Sequence, residues 1–390
     1  VTTLWFVAGE ASGDARAAEV MRALKAADPD IRLLGAGGPK MRTVSAQPFD
    51  DWIAQAGVLG LWDVLKRYGY FRRKFRRMLG QIDDTKPNAV VLVDYPGFNL
   101  RLAAALRKRR FPGKILFYIS PQVWAWNRGR IPKMAQLLDL MICVFPFEQP
   151  MYEASGLATV FVGHPLLEAL AAERSGIVRD GTLLGLFPGS REREVRRIFP
   201  TMVAACRLIR EHDQRIRFEA ATVSEAHADQ MRQMARGVPI LIRSGTAHEL
   251  MQRACAGIVC SGTATLEAAF FGLPYCLVYR AAWLTFQVGR RLVNVDCLGI
   301  INILNNYRQN PPPDPRLPAK PALPVVREFI QHLATPEALA FEASRLLNDL
   351  QARSRLVSEM SKIVSTLEAS GSTRRASQAI IAALRENSEF

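Results

Sequence analysis

Twice along this chain a series of short apolar runs alternates with amphipathic helical stretches, and that alternation constrains the fold more than any other feature. In the first series Thr3–Ala8, 31–35, Ala89–Val93, 114–119, 140–144 and 160–162 read as strands, with helical patterns at 15–26 and 100–109. After an exposed stretch at 173–180 the second series follows, with strand-like runs at 183–187, 216–221, 240–242, 257–259 and Tyr275–Tyr279. Such β/α alternation predicts an α/β fold of parallel sheets with helices on both faces. Two doubly wound, Rossmann-like halves joined near residue 170 are the simplest arrangement, with a ligand expected in a central cleft at the carboxyl ends of the strands. The proline-rich segment 309–324 predicts an extended loop, and a helical pattern resumes at 325–350. The segment Ser372–Arg385 reads as an amphipathic helix capped by Ser372. The expected domains are 1–168, 169–350 and a C-terminal piece, 351–390, that packs back on the first domain or is exchanged with a partner chain in a homodimer.

Composition narrows the function. With 49% hydrophobic residues over 390 positions sizeable cores are available, and a charged fraction of 22%, near the globular average, argues against wholesale disorder. A net charge of +15 points to an anionic partner: a phosphorylated substrate, an anionic membrane or a nucleic acid. The six cysteines form no C-x-x-C pair and sit mostly in apolar runs, the pattern of a reducing compartment. The five histidines lack metal-ligand spacing, so no metal is expected. No apolar run reaches the roughly 18 residues of a membrane span, and no signal peptide is evident. The expected location is cytoplasmic.

Five segments carry the chemistry. Gly9-Glu10-Ala11-Ser12-Gly13-Asp14 follows the first strand; its small residues permit a tight turn, its acids suit sugar hydroxyls, and a capping turn is the plain alternative. Asp94 follows the buried run Val90–Val93 in DYPGFN, where a carboxylate serves either as a base for a hydroxyl or as a turn cap. Ser120–Asn127 carries Trp124 and Trp126, a ligand wall or core packing. In Phe187-Pro188-Gly189-Ser190-Arg191 the backbone, hydroxyl and guanidinium suit a diphosphate, although the loop is not a Walker A sequence. Ser261-Gly262-Thr263-Ala264-Thr265-Leu266-Glu267 reads as strand, small polar turn, then helix: an anion site with Glu267 placed for ribose hydroxyls. Gly35-Ala36-Gly37-Gly38-Pro39, by contrast, lacks the final glycine of a dinucleotide fingerprint. Separately, residues 61–80 mix Trp62, Leu65, Phe71 and Phe75 with Arg72, Arg76 and further bases. Wound as a helix, this is the pattern of a membrane-interface segment, though nucleic acid would also suit it.

Together AGEASGD, GAGGPKM, GVLGLWDVLKRY, DYPGFNLRLA, YISPQVWAWNRGRIPKM, FPFEQPMYEASG, FVGHPLLE, LFPGSREREV and SGTATLEA occur in one order over roughly residues 5–300. In this the chain resembles the lipid-A-disaccharide synthases. The resemblance implies a two-domain GT-B fold and an inverting, metal-independent glycosyl transfer without cofactor at the cytoplasmic face of the inner membrane. The donor is UDP-2,3-diacylglucosamine, the acceptor the 6-hydroxyl of lipid X, and the product a β(1→6) disaccharide 1-phosphate. It also implies Asp94 as base, Arg191 on the leaving UDP and Glu10 facing the cleft. Donor contacts fall to Gly189, Ser190, Ser261, Gly262, Thr263, Thr265, Glu267 and Asn302; acceptor contacts fall to Ser12, Gly13, Trp124, Trp126 and His164. The chain departs from the family at Ala15, where glycine is common, and at Ile300-Ile301-Asn302, which lacks the proline of a Leu-Pro-Asn segment.

Two rivals remain: another UDP-sugar enzyme of the same fold, and a basic membrane- or nucleic-acid-binding module without catalysis. The first lacks the SPQVWAW and DYPGFN pairing. The second leaves Asp94, Arg191 and SGTATLE unexplained and predicts salt-dependent nucleic-acid binding, so no nucleic-acid partner is expected.

Overall fold

The computed structural model describes residues 1–53, 68–281, 296–368 and 370–385. The chain forms two compact units, one of Val1–Glu168 with Leu367–Phe390, the other of Ala169–Thr366.

Unit 1 is built on a seven-stranded parallel sheet: β1 (Thr3–Ala8), β2 (Arg32–Gly37), β3 (Phe49–Asp51), β4 (Ala89–Val93), β5 (Lys114–Tyr118), β6 (Leu140–Cys143) and β7 (Thr159–Phe161). Their spatial order is β3-β2-β1-β4-β5-β6-β7. The central strands β1 and β4 carry uninterrupted apolar runs because helices cover both sheet faces: Leu4–Val7 and Val90–Val93 have no solvent exposure. Strands β1 and β4 run in register from Leu4 opposite Ala89 to Ala8 opposite Val93.

The first helix begins at Ala11, earlier than its apolar periodicity indicates, and runs to Ala27. Its first turn contains Asp14, buried, whose carboxylate accepts from the backbone N–H groups of Gly38 (2.8 Å), Lys40 (3.0 Å) and Met41 (3.0 Å). One acid from the first motif thus caps the short helix Pro39–Arg42 of the glycine-rich motif. Pro96 starts the helix Pro96–Lys108, a position where its missing N–H costs nothing.

The helix Ser372–Arg385 packs on the helix Ala11–Ala27 of its own chain. Ser372 is its first residue, and the capping group is Glu168. That carboxylate accepts from Gly371 N, Ser372 Oγ, Thr373 N and Thr373 Oγ1 at 2.5–3.0 Å. Burial pushes the Glu168 carboxyl up, but these donors outweigh it and hold it below the ordinary value. The helix Leu350–Ser365, expected with this C-terminal piece, belongs to unit 2.

Unit 2 has a six-stranded parallel sheet: β8 (Asp180–Phe187), β9 (Arg217–Thr222), β10 (Ile240–Ser244), β11 (Ala254–Cys260), β12 (Tyr275–Tyr279) and β13 (Glu328–Ile330), in the order β10-β9-β8-β11-β12-β13. Strand β13 lies inside the segment expected to be helical from 325; the helix starts only at Pro336, capped by Thr335, whose hydroxyl accepts from Ala338 N at 3.2 Å. The edge strands β3 and β13 are three residues long and mix charged with apolar side chains, so neither stands out as an apolar run. Beyond Gln309, which ends the helix Ile300–Gln309, the proline-rich stretch contains no helix or strand.

The basic-aromatic segment is helical over Tyr68–Thr85, and Trp62 and Leu65 lie outside the described residues. Its apolar face turns inward. Phe71 meets Trp52 edge-on at 6.3 Å, Phe75 meets Phe98 edge-on at 5.5 Å, and Met78, Leu79 and Ile82 are buried. Phe71 and Phe75 are therefore half-buried, each with part of its ring engaged by a neighbour within unit 1. Arg72, Arg73, Arg76 and Arg77 are exposed and form a stripe along the helix. No helix among the described residues is long and apolar enough to cross a membrane.

Candidate functional site

In an open parallel sheet, ligands bind outside the carboxyl ends of the strands where the strand order reverses direction. In unit 1 that point lies between β1 and β4, in unit 2 between β8 and β11. The segments leaving these four strands are Gly9–Asp14, Asp94–Asn99, Pro188–Arg191 and Ser261–Glu267. Four of the five segments singled out by residue type alone thus sit at the two switch points.

In unit 1, β4 delivers Asp94 and Tyr95, both in the left-handed region at φ 48°. For non-glycine residues this costs roughly 1–3 kcal/mol each and persists only where the surroundings impose it. Here Asn99, fully buried, donates through Nδ2 to the carbonyls of Asp94 (2.7 Å) and Val93 (3.2 Å), while Asp94 N donates to Tyr118 O at 2.9 Å. The Tyr95 ring lies over Gly9; a Cβ there would come within 2.2 Å of it. Asp94 is half-buried, and its carboxyl is raised above the ordinary range, chiefly by burial and further by the charge of Glu10, against the Tyr95 backbone N–H. A carboxylate raised in this way is a better proton acceptor. Glu10 and Ser12 are exposed beside it, and Gly13 is buried against Val93.

The loop after β5 divides its two tryptophans. Trp124 is buried, its Nε1 donating to Glu148 Oε1 at 2.9 Å, while Glu148 Oε2 accepts from Phe145 N at 3.1 Å. Burial pushes the Glu148 carboxyl up to about 7. Trp126 is exposed and carries the Arg130 guanidinium 4.8 Å from its ring centroid. Of the pair only Trp126 offers a surface to a ligand. His164 packs against Phe145, and burial with the nearby charge of Arg16 lowers its imidazole to about 4, so it is neutral at neutral pH.

In unit 2 the two turns leave neighbouring strands, with Phe187 opposite Val259. Gly189, at φ 106°, sits against Glu194: a Cβ would lie 2.7 Å from Glu194 Oε2. Glu194 accepts from Arg191 N at 3.3 Å and from the Arg191 guanidinium at 3.0 Å, which orients an arginine side chain that remains 82% exposed. Ser190, Gly262 and Thr263 are exposed and Ser261 half-buried, around the amino ends of the helices Glu192–His212 and Thr263–Phe270. Backbone N–H groups, hydroxyls and a guanidinium there have the donor chemistry that suits an anion.

Two expected donor contacts are bonded internally instead. Thr265 is buried, and its hydroxyl donates to Gly262 O at 2.7 Å, which shapes the turn. Asn302 is buried with its amide saturated: it accepts from Val325 N (2.8 Å) and Val326 N (3.0 Å) and donates to Val326 O and Glu328 Oε1 (both 2.7 Å). That geometry makes Asn302 an organiser of the segment leading into β13. Asn99, Glu148 and His248, the neighbour of Glu267 in the fold, are important residues that sequence reasoning missed; only their place inside quoted motifs marked the first two.

The comparisons with known proteins bear on this geometry. A family described as "Lipid-A-disaccharide synthetase" matches residues 4–383. The lipid-A-disaccharide synthase of Trichlorobacter lovleyi is 35% identical, covering 98% of this chain and 97% of the relative. That of Coxiella burnetii is 31% identical over 96% of both chains. Among solved structures, UDP-GlcNAc 2-epimerase from Neisseria meningitidis bound to UDP-GlcNAc superposes with a TM-score of 0.62 at 9% identity, covering 98% of this chain and 99% of that one. A calicheamicin glycosyltransferase gives 0.57 at 14% identity, covering 98% of both. At such identities the structures establish the shared two-sheet fold alone.

Proposed function

Since the chain belongs to the lipid-A-disaccharide synthase family, and so is a glycosyltransferase of lipid A biosynthesis, we propose that its two switch points divide the labour of that reaction. Asp94 takes the proton from the 6-hydroxyl of lipid X as that oxygen attacks the anomeric carbon of UDP-2,3-diacylglucosamine. The bond to UDP breaks on the opposite face, so the configuration inverts. Arg191, Ser190, the N–H groups of the Gly189 turn and the amino end of the helix Thr263–Phe270 take up the charge that develops on the departing diphosphate. Glu267 holds the ribose hydroxyls. Glu10 keeps Asp94 basic, and Trp126 with Arg130 offers an apolar and cationic rim to the phosphorylated acceptor lipid.

The observation that carries this reading is the opposite chemistry of two topologically equivalent switch points: a raised carboxylate at one, an arginine and two helix amino ends at the other. Its test is UDP release from UDP-2,3-diacylglucosamine in detergent without added metal, with and without lipid X. Release that depends on lipid X, with a disaccharide 1-phosphate as product, supports the reading. UDP release with water as acceptor, or none at all, contradicts it.

Membrane association belongs to the same proposal, with the arginine stripe of the helix Tyr68–Thr85 as its electrostatic part. Each basic residue near an anionic surface contributes about 1 kcal/mol. Replacing Arg72, Arg73, Arg76 and Arg77 with glutamine is expected to abolish salt-sensitive binding to anionic vesicles; unchanged binding would remove the stripe from the account.

A further inference from the structure

His248 connects two carboxylates from distant parts of unit 2. It sits on the helix Ala247–Arg253, with Nδ1 2.6 Å from Glu173 Oε2 and Nε2 3.6 Å from Glu267 Oε2. Its ring is 5.4 Å from that of Phe271. The Glu173 segment is fixed from behind. Gln252 Nε2 donates to the Glu173 carbonyl at 3.0 Å, and Gln252 Oε1 accepts from Ser175 N and Oγ at 2.6 and 2.9 Å. Arg174, the adjacent cation, is engaged elsewhere, 4.2 Å from the Phe270 ring centroid and donating to the Phe270 carbonyl at 2.8 Å.

Both neighbours of the imidazole are therefore acceptors. A neutral imidazole can turn an N–H to only one of them; the imidazolium hydrogen-bonds Glu173 and presents its second N–H and its charge to Glu267 at ion-pair distance. The charges reinforce this: Glu267 first, with Glu173 behind it and against the effect of burial, pushes His248 up to about 9. The Glu267 side chain is held at 17% exposure, in the second turn of the helix whose amino end borders the anion site. A glutamate left free to rotate would lose that freedom on binding; one already held does not.

We propose that His248 is a positioning residue for nucleotide recognition: its imidazolium, anchored on Glu173, holds the Glu267 carboxylate toward the ribose hydroxyls of the donor and so sets the preference for a ribonucleotide over a deoxyribonucleotide. The inference rests on the reading of Glu267 as the ribose contact. Its chemistry is ordinary: a carboxylate accepting a hydroxyl hydrogen bond discriminates strongly against the ligand lacking that hydroxyl, and it does so best when pre-oriented.

The test is calorimetric binding of UDP and of 2′-deoxy-UDP to the full chain. Both nucleotides carry the same uracil and diphosphate, so those terms cancel in the ratio of the two affinities. The wild-type protein is expected to prefer UDP by about tenfold or more, the scale of one hydrogen bond to a charged group. Glu267→Gln and His248→Asn should each cut the preference to about twofold, with little further loss in the double variant. In the wild type the preference should fall as pH rises through about 9. His248→Arg, a cation at every pH, should keep the preference and lose its pH dependence. Full preference in His248→Asn, or an equal loss of both nucleotides, overturns the proposal while leaving Glu267 as the ribose contact. Full preference in Glu267→Gln removes the ribose reading itself and this inference with it.

Discussion

The two units repeat one topology and put opposite chemistry on it. At the switch point of unit 1 the positive-φ residues are Asp94 and Tyr95, held in place by Asn99. At that of unit 2 they are Gly189 and Gly262. Glycine takes such a conformation without strain, and it leaves backbone N–H groups open to an anion. A non-glycine residue is strained there, so its presence at Asp94 and Tyr95 points to a use for the side chain. The difference is what the proposed division of labour rests on: backbone and guanidinium suited to charge in unit 2, a held carboxylate suited to proton transfer in unit 1.

Substitutions can break this comparison in order of effect. Asp94→Asn keeps size and polarity but cannot accept the proton; turnover is expected to fall by about 10²–10⁴-fold. Turnover within tenfold of wild type would remove Asp94 as the base. Arg191→Gln should lower turnover by roughly 10²–10³-fold, the scale of one lost electrostatic donor, and also weaken UDP binding. An unchanged UDP affinity would move the diphosphate elsewhere.

Stability offers a smaller effect in unit 1. Glu168→Ala uncaps the helix Ser372–Arg385 and should cost about 1–2 kcal/mol by denaturant unfolding. Because the folded carboxyl lies below its unfolded value, the Glu168 contribution is present above the ordinary glutamate range and is lost as pH falls through the lowered folded value. The stability gap between wild type and Glu168→Ala should therefore close in acid; a gap that stays constant with pH would exclude the ionised cap. The smallest effect separates Glu10 from Asp94. Removing the neighbouring negative charge in Glu10→Gln should lower the Asp94 carboxyl, shifting the acid limb of the pH–rate profile to lower pH. A limb that stays in place would mean that burial alone raises Asp94.

Much of this frame was legible in the sequence, for a physical reason. Strands buried on both faces are uninterrupted apolar runs, so β1, β4 and β12 could be bounded correctly. The polar segments after them stood out because ligand turns need small or charged residues at that point. What stayed hidden depends on direction and on partners distant in the chain. Trp124, Thr265 and Asn302 have the composition of ligand contacts, yet each bonds inside its own unit. Phe71 and Phe75 have the pattern of a membrane face, yet both turn onto Trp52 and Phe98. His248 is 75 residues from Glu173, and no local spacing announces their contact.

The division between the two switch points is tested most directly by measuring UDP affinity of Asp94→Asn and Arg191→Gln side by side with lipid-X-dependent turnover. The account predicts that both variants lose turnover, that Asp94→Asn binds UDP as the wild type does, and that Arg191→Gln binds it at least about tenfold more weakly. Loss of UDP binding in Asp94→Asn, or wild-type UDP binding in Arg191→Gln, would contradict it.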